Sequence, residues 1–94
     1  MTESEIFAKL RRIIVDVKAE TVPIDPNAIE YSSRLEDSPL AMDSLDFVKM
    51  IVGLEETFGF IAEDEDFLAS SLERVEDVVR LVQRRLEALA AAAN

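Results

Sequence analysis

Apolar residues recur along the chain in three stripes of helical period, with no strand-like alternation between them. Ile6, Leu10, Ile13, Ile14 and Val17 form the first and predict a helix from about residue 3 to 19. Phe47, Met50, Ile51, Leu54 and Phe58 form the second, at i, i+3, i+4, i+7 and i+11, and predict a helix over Ser44–Phe58. Val75, Val78, Val79, Val82, Leu86 and Leu89 form the third, from about residue 72 to 89, with the alanine tail added on propensity alone and expected to fray. Residues 63–68 read as a short extra helix, with acids at its start and Phe67 and Leu68 facing the core. The pattern predicts an all-α, four-helix bundle of three long helices and one short. A single domain over 1–94 is expected, with its core at about 3–89.

Start and stop residues agree with the stripes. Thr2 and Glu5 fit a capping box, as do Ser70 and Glu73. Asp43 is a good N-cap for the second helix, which places Ser44 on its first turn. Gly59 suits a left-handed C-terminal cap, with Phe60 free to pack back on Leu54. Gly53 lies mid-helix, where glycine costs up to about 1 kcal/mol against alanine, and implies close approach by another helix. Residues 21–42 hold Pro23, Pro26 and Pro39, which rule out a continuous helix. Val22, Ile24, Ile29, Tyr31, Leu35 and Leu40 suggest that this connection is pinned across the helix ends, with a short helical turn near Pro26–Ile29.

Charge sharpens the picture. The net charge is −10, yet residues 1–20 and 71–94 are each balanced; the excess of acids lies wholly in residues 21–66, and most steeply in 43–66. That is either a solvated face or an electrostatic footprint for basic partners, and it disfavours nucleic acid. There is no cysteine, hence no disulfide and no thiolate metal site, and any thiol chemistry must come from an added group. There is no histidine, the commonest general base. The acids at 63–66 lack the glycine and spacing of a calcium loop, and no metal site is expected. No apolar run approaches membrane-spanning length and no signal-like start is present, so a cytoplasmic, monomeric protein is expected.

Candidate chemistry therefore centres on Ser44, between Asp43 and Asp46. As a nucleophile of its own it lacks a base, since Lys49 is well round the helix. It is then either an ordinary helix-start serine or a hydroxyl presented to be acted upon, at the helix end where a phosphate is favoured. Leu45, Val48 and Val52 make a second apolar stripe on the same helix, with Asp46, Glu55 and Glu56 around it. This stripe either widens the buried face or docks partners.

Asp43-Ser44-Leu45-Asp46 at a helix start, followed by the striped helix and Glu55-Glu56 in an acidic, cysteine-free chain, resembles the acyl carrier protein family of phosphopantetheine-binding carriers. The resemblance runs from about Ile6 to Leu86. It implies a carrier rather than an enzyme, with 4′-phosphopantetheine on Ser44 whose thiol holds acyl groups as thioesters in fatty acid, polyketide or related lipid synthesis. It also implies a Mg²⁺-using phosphopantetheinyl transferase that recognises Asp43 and Asp46, and basic-faced acyl-processing enzymes that read Leu45, Val48, Val52, Glu55 and Glu56. Some members sequester the acyl chain, for which Phe47, Met50, Ile51, Leu54 and Phe67 are the candidate lining. A peptidyl or aminoacyl carrier, or an unmodified acidic adaptor for basic partners, are the alternative readings. Ala41 stands where many members have glycine.

Overall fold

The computed structural model describes residues 1–63 and 72–92. Three helices carry the described fold: α1 (Glu3–Lys18), α2 (Ser44–Phe58) and α3 (Val75–Ala92), with a single 3-10 turn at Pro26–Ala28. Among the described residues there is no strand, only one isolated antiparallel bridge between Arg34 and Arg74. The short helix expected at 63–68, with Phe67 and Leu68, lies outside the described residues apart from Glu63, as does Ser70 of the capping box expected with Glu73 before the last helix.

Each helix starts where a side chain satisfies its free amides. Thr2 closes α1 with a reciprocal capping box to Glu5. Asp25 caps the 3-10 turn, with Pro26 in its first position, where a missing amide hydrogen matters least. Asp43 caps α2, and Gly59, at φ 74° and ψ 33°, ends it with its amide on the Glu55 carbonyl at 2.9 Å. The stripes meet as expected: Ile6, Leu10, Ile14, Met50, Leu54, Val75, Val78, Val79 and Val82 are fully buried, and Phe60 joins the same core. Helix α1 packs against both α2 and α3. Burying one such side chain stabilises the fold by roughly 1.5–3 kcal/mol.

Helix α3 begins three residues later than the stripe suggests. Residues 72–74 instead run non-helically along the long connection: the Leu35 amide donates to the Glu73 carbonyl and the Val75 amide, at the start of α3, to the Ser33 carbonyl, both at 2.9 Å. The Glu76 amide continues the seam to Tyr31. Asp77 then reaches back to accept from the amides of Glu73 and Arg74. At its other end α3 runs on through Ala92, taking in the alanine tail that helix propensity was expected to add after Leu89. The seam anchors the connection to the start of α3, and Ile24, Ile29, Leu35, Leu40 and Met42 bury themselves in the core behind it.

At Gly53 α2 lies tight against Ile13 of α1. A Cβ added there would sit 2.8 Å from Ile13 Cγ2. Gly53→Ala gains up to about 1 kcal/mol of helix propensity, but overpacking of this kind costs about 1–3 kcal/mol. The expected result is a net loss near 1 kcal/mol by urea unfolding. In a double-mutant cycle, Ile13→Ala should make Gly53→Ala less harmful by a similar amount.

Candidate functional site

The loop that delivers α2 is held at every step. The Ala41 amide donates to the Asp37 carbonyl and the Met42 amide to the Leu35 carbonyl, both at 2.8 Å. Ala41 itself has φ 43°, in the left-handed region. That conformation costs an L-residue about 1–2 kcal/mol and glycine much less. Ala41→Gly relieves the strain but frees the unfolded chain by about 0.4–1 kcal/mol. A small net gain in Tm is expected, whereas Ala41→Val should lower it.

Asp43 and Asp46 form a reciprocal box around the helix start. Asp43 Oδ1 accepts from the Asp46 amide at 2.8 Å, and Asp46 Oδ2 accepts from the Asp43 amide at 3.2 Å. Ser44 occupies the first helical position between them and is exposed. Its hydroxyl is therefore open to solvent at the positive end of α2, where a phosphate is favoured.

Asp46 is not the surface acid that the sequence suggests. It is buried, and its Oδ2 also receives Lys18 Nζ from the end of α1 at 2.9 Å. The same ammonium donates to the Ala41 carbonyl at 3.3 Å. The Lys18 hydrogen bond holds the Asp46 carboxyl below its usual range; burial opposes this, and the Asp43 amide adds to the lowering. Burial sets Asp46 apart from the exposed Asp43: its Oδ2 is engaged inside the loop–helix junction rather than displayed beside Ser44. The signal for Lys18 was available: it lies on the same face as Leu10 and Ile14, in the register of the buried stripe.

Beside Ser44 lies an open cleft of ≈ 610 Å³ lined by Leu35, Glu36, Met42, Asp43, Phe47, Val48 and Leu72. A second groove, ≈ 480 Å³, continues along α2 from the shared Phe47 and Val48 to Ile51, Val52, Glu55 and Ala62. Of the expected acyl lining, Phe47 and Ile51 border this groove. Met50 and Leu54 are fully buried and border neither, and Phe67 lies outside the described residues.

The second stripe does not widen the core. Leu45, Val48 and Val52 are 61%, 57% and 45% exposed. Ile61, not singled out from sequence, is exposed beyond the same helix. Glu56 is exposed, while half-buried Glu55 accepts from the Ala62 amide at 2.9 Å and so fastens the chain after Gly59. Among the described residues no helix is long and apolar enough to cross a membrane, and no cluster of three acids is placed to hold a metal.

An exposed serine hydroxyl at a helix N-terminus, opening onto a cleft of mixed polar and apolar lining, fits a phosphodiester-linked arm with an extended tail. The comparisons with known proteins agree. Residues 9–82 match the family model described as phosphopantetheine attachment site. The acyl carrier protein of Petrotoga mobilis is 33% identical over 86 residues, covering 92% of this chain and 93% of the relative. That of Thermosynechococcus vestitus is 36% identical over 89 residues, covering 94% and 100%. That of Lactobacillus johnsonii is 36% identical over 83 residues, covering 88% and 95%. With the helical fold and this site, these matches show that the chain belongs to the acyl carrier protein family, whose members are carriers, not enzymes, and hold 4′-phosphopantetheine covalently.

Proposed function

We propose that this single carrier domain holds 4′-phosphopantetheine on Ser44 Oγ and passes acyl groups, as thioesters of the arm's thiol, between enzymes of fatty acid, polyketide or related lipid synthesis. The observation that carries the reading is the exposed hydroxyl of Ser44 at the first position of α2, at the mouth of the cleft. Cysteine is absent from the sequence, so the carrier thiol must be borrowed. Loading joins Ser44 Oγ to the phosphorus of coenzyme A that bears the pantetheine. The pyrophosphate bond breaks, adenosine 3′,5′-bisphosphate leaves, and the hydroxyl proton passes to a base on the transferase. The chain has no histidine of its own to serve as that base.

The partner face is α2 itself. Leu45, Val48 and Val52 supply apolar contact, with Asp43 and Glu56 as exposed acids beside it. The concentration of net negative charge in residues 21–66 favours basic-faced enzymes and predicts contacts that are steered, weak and salt-sensitive. The chain acts as a monomer. The test is intact mass after incubation with coenzyme A, Mg²⁺ and a phosphopantetheinyl transferase: one added phosphopantetheinyl group is expected. No gain with several transferases would overturn the reading in favour of an unmodified acidic adaptor.

A further inference from the structure

Lys18 is buried at the end of α1, 28 residues from the acid it pairs with. Its ammonium touches both sides of the loop–helix junction. One contact is the carbonyl of Ala41, whose backbone is strained; the other is Asp46 Oδ2, the atom that also receives the Asp43 amide. The cation thus binds two groups directly, the loop carbonyl and the first-turn carboxylate, and the cap residue's amide joins them by donating to the same Asp46 Oδ2. Ser44 is the residue between the cap and that first turn. Nothing in core packing requires a charge here, since a buried pair is commonly replaced by apolar residues without loss of stability.

We infer that Lys18 is a positioning residue for loading at Ser44: acting through Asp46 and the Ala41 carbonyl, it fixes the backbone of residues 41–46 so that the serine hydroxyl is presented in one geometry to the transferase. The inference rests on Ser44 as the attachment point. Lys18 is buried and touches neither coenzyme A nor the transferase, so its effect belongs in turnover rather than in encounter. The stripe of Leu45, Val48 and Val52 is on the outer, exposed face of α2, away from the buried ammonium. Small displacements of a reacting atom lower rates steeply, by up to about 100-fold for 1 Å.

The experiment compares loading kinetics of the wild-type chain with Lys18→Met/Asp46→Leu, which replaces the pair by apolar residues and keeps the core filled. Expected is a melting temperature close to wild type, a kcat for phosphopantetheine transfer lowered about 10-fold or more, and a KM for the carrier changed less than about threefold. Amide exchange at Asp43, measured without any enzyme, should quicken in the variant, because the acceptor on residue 46 is gone. Lys9→Met, which removes an exposed lysine from α1, should load as wild type does. A double variant loaded at the wild-type kcat would overturn the inference, as would a loss confined to KM. If the double variant does not fold, Lys18→Gln is read by the same kcat and KM criteria. A wild-type chain that takes up no arm defeats the Ser44 reading itself, before any variant is compared.

Discussion

Ser44→Ala should leave the fold intact and abolish uptake of the phosphopantetheinyl group. The fold part follows from the position. Ser44 is exposed, its hydroxyl makes no hydrogen bond with the described residues, and the cap of α2 is supplied by Asp43 on one side and Asp46 on the other. Alanine is the better helix former by about 0.5 kcal/mol, and exposed substitutions away from caps usually stay within about 0.5 kcal/mol. Melting curves of the two proteins should therefore nearly superimpose. The loading part follows from chemistry: without Oγ there is no atom to form the phosphodiester. The chain contains its own controls, since Ser4, Ser32 and Ser38 are also exposed. None of them opens α2 or lines the cleft beside it. Intact mass and peptide mapping check the result. A full-strength phosphopantetheinyl peak in Ser44→Ala, carried on another serine, would remove residue 44 from the account while leaving the family assignment standing.

Much of this arrangement was legible because it is local. Asp43, Ser44 and Gly59 lie within one helix of each other, and a cap, a first turn and a stop are written in neighbouring residue types. The bounds of α2 follow from them directly. Gly53 was legible as a close approach, though only the structure names Ile13 as the neighbour. The start of α3 was not legible, because the residues that look like its first turn are recruited into an extended seam with Ser33 and Leu35, about forty positions earlier. Tertiary pairing there outweighs a capping preference worth about 1 kcal/mol. Asp46 was misplaced for the same kind of reason. An aspartate on the first turn of an acidic helix reads as surface charge until a lysine from a distant helix is brought under it. Lys18 sits in the apolar register of α1, and a charged residue in that register points to a buried partner; which partner is fixed only by how α1 packs on α2.

The second large effect is on stability, and it has a characteristic dependence on pH. Lys18→Met strands the Asp46 carboxylate at depth with the Asp43 amide as its remaining donor, and breaking a buried pair from one side costs about 3 kcal/mol or more. In a domain of this size that is a large share of the total, roughly 5–15 kcal/mol. Urea unfolding at neutral pH should show it directly. The sign of the acid response then separates the pair from an ordinary packing defect. In the wild type the folded Asp46 carboxyl is held below its unfolded value of about 3.9. Its contribution is therefore fully present above that value and is lost as pH falls through the lower folded one. In Lys18→Met, burial without the ammonium pushes the same carboxyl up instead, so protonation of Asp46 favours the folded variant. The stability gap between the two proteins should accordingly be widest near neutrality and narrow steadily as pH falls from about 5 toward 3. Taking the difference cancels the relief of mutual repulsion that acid brings to so acidic a chain. Asp46→Asn supplies the converse check: its side-chain carbonyl still accepts from the Asp43 amide, but it has no carboxyl to titrate, so the part of the acid response due to Asp46 should disappear. A gap between wild type and Lys18→Met that stays constant over that range would mean that Lys18 serves only to fill space, with its charge irrelevant to the junction.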